Sequence, residues 1–218
     1  MGLDFSVVPE FSDFILIGAL WTFAITLSAG AVSFVGGIAF AVAVLYGHWS
    51  IRYPVRFIAG LFMGTPLLLQ LFLIYFGLVQ IGIDIPAFVA GIIGLGIHFA
   101  AYNSDIIQAG IKAVDNGQHE GARTLGLSKF QAYRYIIIPQ AVRDVVPPIG
   151  NNLIALLKDS ALISVIGVTE LVHASQLAIS ETFRPFEFYI TAAALYYVIN
   201  LILEYGLRRV ERNIAAAR

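Results

Sequence analysis

The chain has 218 residues, 59% of them apolar and 12% charged, with a net charge of −1 and no cysteine. Soluble domains carry roughly a quarter charged residues, so half that fraction in long uncharged runs places the chain in a bilayer. The near-zero net charge offers no field for nucleic acid, and the missing thiols exclude disulfides, thiolate catalysis and cysteine metal sites.

The first ten residues hold Asp4 and Glu10 but no basic residue, so they lack the basic n-region of a cleaved signal peptide. Residues 14–46 are free of charge, longer than the ~20 residues one crossing needs. They read as a short interfacial entry and one span, softened by Gly30, Gly36 and Gly37. The second uncharged run is 57–83. Within it Pro66 predicts a kink, and Gln70 predicts a hydrogen bond to a neighbouring helix or a contact with a solute. The third run, 86–104, ends in Tyr102 and Asn103, candidates for the inner mouth of a path. Asp105, just beyond, reads as a helix cap or an arginine partner. The fourth run, 148–168, starts with Asn151 and Asn152 and is interrupted by Lys158-Asp159-Ser160; the fifth is 188–205, with Glu204 near its end. All five must be helices, because only helices and closed barrels satisfy their backbone in lipid, and the runs exceed barrel strands. The reading is an all-α integral membrane protein of five transmembrane helices, one domain over 1–218.

Direction follows from the basic residues, which concentrate on the cytoplasmic side. With the N-terminus outside and the C-terminus cytoplasmic, Arg52, Arg56, Lys112, Arg123, Lys129, Arg134, Arg143, Arg208, Arg209, Arg212 and Arg218 are inside, eleven of thirteen. Only Arg184 is outside, and Lys158 lies within a span. Glu170, Glu181 and Glu187 then form an acidic outer rim, read as a solvated loop or a surface for a binding protein. His48, His98, His119 and His173 show no metal-ligand spacing.

Residues 112–140 form a polar island between two spans. Asp115-Asn116-Gly117 signals a turn. A short helix should follow, with Glu120 and Arg123 on one face, Gly121 and Ala122 admitting close approach, and Gly126 ending it. Phe130, Tyr133, Ile136 and Ile137 then recur at helical spacing, which predicts a helix lying along the interface until Pro139 stops it. The residues alone leave two readings open, a loop packed on its own bundle or a surface for a soluble partner.

Glu120-Gly121-Ala122, three residues, Gly126, nine residues, Ile136, one residue and Ile138-Pro139 resemble the EAA motif of importer-type ABC permeases. Gly121 stands for the motif's first Ala and Ile138 for its Leu. Gly64-Thr65-Pro66-Leu67-Leu68-Leu69-Gln70, Ala101-Tyr102, Gly117-Gln118, Pro139-Gln140-Ala141-Val142-Arg143 and Leu156-Leu157-Lys158-Asp159-Ser160 are similar to the polar-amino-acid (histidine/glutamine) permease family. Met63 departs from it, since an Arg usually precedes Gly-Thr-Pro. The resemblance covers about residues 15–212 and implies a type I ABC importer fold. It also implies partners: two copies of an ATPase, a second permease identical or paralogous, an extracytoplasmic substrate-binding protein, and a bacterial inner membrane around them. Glu120, Gly121, Ala122, Arg123, Gly126 and Pro139 would belong to a coupling helix that meets the ATPase.

No phosphate-binding Gly-x-x-x-x-Gly-Lys-Ser/Thr loop occurs, so ATP and magnesium belong to the partner and no cofactor or enzymatic site is expected on this chain. A Lys or Asp at mid-membrane costs about 2.5–3.5 kcal/mol. Lys158 and Asp159 therefore read either as a neutralising structural pair or as a site for a zwitterion, Lys for its carboxylate and Asp for its ammonium. With Ser160, Gln70, Tyr102 and Asn103 they make the candidate substrate path. The solute class is a polar amino acid or a similar small zwitterion, opines and ectoine-like solutes included. The alternative is a stand-alone secondary carrier or channel.

Overall fold

Each long apolar run folds as helix, as a backbone deprived of water must. The computed structural model describes residues 2–216, and Arg218 lies outside the described residues. Two short 3₁₀ turns, Phe5–Val7 and Pro9–Phe11, lead in. The helices are α1 (Ser12–Tyr46), α2 (Trp49–Gly64), α3 (Leu67–Gln80), α4 (Ala87–Ala113), α5 (Asn116–Thr124), α6 (Lys129–Ile166), α7 (Leu171–Thr182) and α8 (Pro185–Ala216). Among the described residues, α1, α4, α6 and α8 are each long and apolar enough to cross a membrane, and α2 with α3 adds a fifth if the bent pair counts as one broken span.

Two elements depart from expectation. The second run is not one kinked helix: α2 stops at Gly64, Thr65 and Pro66 are extended, and α3 sets off at 114° to α2. Pro66 disfavours helical backbone in the residue before it, so the chain breaks there rather than bending. Pro139, conversely, does not stop the helix that precedes it. A π turn over Tyr133–Ile137 widens the helix just where the proline ring would otherwise strike the preceding turn. Gln140 Nε2 donates to the Ile136 carbonyl at 2.9 Å. The amphipathic run thus continues straight into the fourth span, with Ile137 buried against Val114 and Ala141.

Packing is by small residues, which suits a solvent where lipid is as apolar as leucine and close contact supplies the attraction. α4 is the central helix, burying Ala90, Gly91, Gly94, Gly96, Ala100 and Ala101. It runs parallel to α1, with Val32 against Gly96 and Gly37 against Asn103, and antiparallel to α6, with Val145 against Gly110 and Ile163 against Gly91. At the other end, a Cβ on Gly18 would lie 2.9 Å from Ala174 Cβ, 3.1 Å from Leu171 Cα and 3.2 Å from the Glu170 carbonyl oxygen. Two of those atoms are backbone and cannot rotate away. Gly18→Val is therefore expected to destabilise the α1–α7 contact by about 2 kcal/mol, read as a lowered Tm in detergent. Gly60→Val, whose Cβ meets nothing within 4 Å, should leave Tm unchanged.

Candidate coupling surface and solute path

The island folds as α5, perched on the end of the bundle where α1 and α4 finish. Asp115 caps it, its Oδ1 accepting from Gly117 N at 2.7 Å. It ends as a Schellman motif: Gly126 takes φ +72°, Leu127 N donates to the Ala122 carbonyl, and Gly126 N donates to the Arg123 carbonyl. That positive φ suits glycine and supplies the stop that the sequence predicts. Ser128 then opens α6 with a reciprocal capping box to Gln131.

Only Ala122 of α5 is buried, at 1% exposure. It fixes the helix to the bundle, helped by a ring contact of His119 on Tyr133 and by Gln140 Nε2 donating to Gln118 Oε1. Tyr133 in turn meets Tyr46 at the end of α1 edge-on, so the island is coupled to the first span through one aromatic ring. Everything else on α5 faces out. Glu120 and Arg123 form no ion pair with each other or with any described residue. Gly121 has open space where a side chain would stand, and Leu125 and Phe130 are 75% and 74% exposed. Two bare charges, a small-residue notch and two apolar side chains on one protruding end are what a groove on another protein requires.

The six residues expected to line a path divide into two groups. Gln70 is buried at the break between α2 and α3 and uses its whole amide there. Its Nε2 donates to the Phe62 and Thr65 carbonyls and to Thr65 Oγ1, and its Oε1 lies 2.9 Å from His98 Nδ1 on α4. It thus satisfies carbonyls that the break in the span leaves open. Asn103 is 2% exposed and bridges Ser33 on α1 to Asn152 on α6. Ser160 is fully buried and donates to the Leu157 carbonyl. Tyr102 is half-buried, its hydroxyl 3.5 Å from the Met63 carbonyl. Lys158 is exposed and Asp159 half-buried, and neither forms an ion pair among the described residues. No close ion pair of either charge forms among the described residues, although Lys158 lies near enough to Glu204 on α8 to act on it electrostatically.

The acidic rim is corrected. Glu181 is exposed, but Glu187 is 3% and Glu170 0% exposed. Glu187 accepts from Asp4 N and Arg184. Glu170 caps α7 through His173 N and accepts from Thr22 on α1 and Tyr196 on α8. Sequence reasoning missed this knot of three helices. Its one signal was a Glu three residues after a tight Gly167 turn and directly before the apolar start of α7. Asp105 caps no helix and pairs with no described arginine; α4 runs on to Ala113, and Asp105 accepts from Gln108.

Residues 33–216 match a family model described as the binding-protein-dependent transport system inner membrane component. The arginine transport system permease protein ArtQ of Bacillus subtilis (strain 168) is 36% identical over 215 residues, which cover 98% of each chain. The glutamine transport system permease protein GlnP of Escherichia coli (strain K12) is 32% identical over 216 residues, covering 98% of this chain and 99% of the relative. A crystal structure of an amino acid ABC transporter with histidines matches with a TM-score of 0.91 at 40% identity, over 98% of this chain and 100% of that one. The inward-facing MetNI methionine ABC transporter shares the fold at a TM-score of 0.76 and 21% identity, over 94% and 98%. The all-helical type I ABC importer fold expected from the EAA motif is thus the fold observed. With the match running over most of its length, the chain belongs to the family of binding-protein-dependent transport system inner membrane components, the permeases of ABC transporters.

Proposed function

We propose that the chain is the permease subunit of an importer that carries a polar amino acid or a similar small zwitterion into a bacterial cell across its inner membrane. The observation that supports this most is α5: a capped nine-residue helix bearing the EAA residues, held by Ala122, His119 and Gln118, with Glu120, Gly121 and Arg123 offered to solvent. In this reading the N-terminus is outside and the island cytoplasmic, in line with the distribution of basic residues. Two copies of an ATPase receive α5 and its counterpart on a second permease chain, through Glu120, Gly121, Arg123 and Gly126, with Ala122 seating the helix on its own bundle and Pro139 at the root of the segment. ATP and magnesium act on the ATPase; this chain carries no phosphate loop and no cofactor. Closure of the ATPase dimer moves α5, and the Tyr133–Tyr46 contact and the continuous α6 pass that motion to the spans, which alternate between outward and inward access. A binding protein delivers solute from outside.

Within the bilayer, Lys158 and Asp159 are the charges that meet the solute, Lys158 its carboxylate and Asp159 its ammonium, with Tyr102 beside the path. Gln70, Asn103 and Ser160 shape the wall from behind. Names of relatives that transport arginine or glutamine fit this substrate class. Purification of the tagged chain in mild detergent, with mass spectrometry of what travels with it, tests the proposal. An ATPase in the preparation and ATP-dependent uptake in vesicles are the expected result. Gradient-driven uptake by a preparation without any ATPase would overturn it and make the chain a carrier.

A further inference from the structure

Asp144, Asn151 and Lys158 are spaced seven residues apart on α6. A heptad drifts by only ~20° on an α-helix, so the three share one stripe about 21 Å long. All three are exposed on the single chain. None forms a hydrogen bond or ion pair with another described residue. The opposite face of the same helix is buried through Ala141, Val145, Gly150 and Leu157. Asn152, one position on, already spends its amide on Asn103, which makes the free Asn151 amide a feature of the outward stripe alone.

We propose that Asp144 and Asn151 form the inner half of the solute path, an exit rail on which the Asp144 carboxylate receives the solute's ammonium group. The proposal rests on the reading of Lys158 and Asp159 as the solute's first contacts. Lipid does not face the Lys158 end of this stripe, since a charge at mid-membrane costs about 2.5–3.5 kcal/mol, while Asp144, next to Arg143, lies at the inner end of the span. A dry contact with a second copy is equally unfavourable. With an identical partner facing this stripe across a two-fold axis along the membrane normal, Lys158 would meet Lys158 and Asp144 would meet Asp144. Like charges in a desolvated interface repel, whereas a wet gap holding a zwitterion keeps each one solvated or paired. The chemistry also declines along the stripe. Two charges grip the solute at Lys158 and Asp159, one amide touches it at Asn151, and one carboxylate holds only its amino end at Asp144. Falling grip towards one end favours release there. The recognised class is a solute with a free ammonium group, an α-amino acid being the simplest.

The test uses the complete complex, permease with ATPase and binding protein, in liposomes, with radiolabelled L-glutamine and L-arginine as probes. Asp144→Asn is expected to lower the maximal uptake rate about tenfold, the size of one charged hydrogen bond. KM and ATP hydrolysis should stay within twofold, and Asp144→Glu should restore uptake. Lys158→Met and Asp159→Asn should instead raise KM. Because the chain has no native cysteine, Asn151→Cys in it can be titrated with a water-soluble cationic methanethiosulfonate, the unsubstituted complex giving the background. It should react about tenfold or more faster than Ile202→Cys, which sits among exposed apolar side chains of α8. Equal and slow reaction of the two cysteines in every nucleotide state would show a dry stripe and overturn the rail. Normal uptake by Asp144→Asn and Asn151→Ala, with Lys158→Met and Asp159→Asn impaired, would overturn the rail alone. Normal uptake by all four would overturn the underlying reading of Lys158 and Asp159.

Discussion

Gly121→Trp is expected to abolish ATP-driven uptake while leaving the chain folded and inserted. A Cβ at Gly121 meets nothing within 4 Å, so the indole has room on the isolated chain and no reason to unfold it. The same indole would fill the notch that lets α5 enter a groove on the ATPase. Losing a central contact of an interface costs about 2 kcal/mol or more, roughly thirtyfold in affinity. Glu120→Lys should act in the same direction by reversing a charge that no described residue pairs. Co-purification measures docking, uptake measures coupling, and the Tm in detergent checks folding. Normal co-purification of the ATPase with Gly121→Trp would place the coupling surface elsewhere. A collapsed Tm would show that α5 is packed more tightly than its burial indicates.

The spans and the island were legible because each depends on composition over many residues. Charge-free runs longer than a bilayer is thick admit one outcome, and α5 announced both ends, Asp115 before it and Gly126 after it. Features set by a single proline were not legible. Pro66 and Pro139 carry the same covalent constraint, yet one breaks a span by 114° and the other sits inside a continuous helix. The difference lies in their neighbours. Gln70 and His98 are placed to satisfy the open carbonyls at the Thr65 break, while the π turn at Tyr133–Ile137 absorbs Pro139. Those partners come from other turns and other helices, which hydropathy does not see.

The path was half legible for a related reason. Residue type marked Gln70, Asn103, Ser160, Lys158 and Asp159 alike as polar groups in the membrane. Which of them are free depends on what lies opposite: Ser33 and Asn152 occupy Asn103, whereas no described residue hydrogen-bonds or closely pairs with the Lys158 ammonium. The heptad of Asp144, Asn151 and Lys158 was present in the sequence, but Asp144 stood outside the uncharged run and so escaped the search for polar groups within it.

Glu170→Ala is expected to cost about 3 kcal/mol of stability, about 1 from the lost helix cap and about 1–3 from a buried hydroxyl left without its acceptor. The carboxylate accepts from His173 N at 2.8 Å, Tyr196 Oη at 2.8 Å and Thr22 Oγ1 at 3.3 Å, so its removal loosens α7 from both α1 and α8. Burial pushes the Glu170 carboxyl above its ordinary value of 4.5, against the pull of the Val172 and His173 N–H groups and the Tyr196 and Thr22 hydroxyls. A carboxyl raised in the folded state contributes stability that is fully present below the unfolded value and is lost as pH rises through the folded value. Glu170→Gln, fixed in the neutral form, has no such loss. The Tm of the wild type minus that of Glu170→Gln should therefore shrink as pH climbs above 4.5. A difference that instead grows with pH would mean that the hydrogen bonds outweigh burial and that the folded state holds Glu170 as an anion. Glu170→Ala should remain below both proteins at every pH, because an alanine restores neither the cap nor the acceptor.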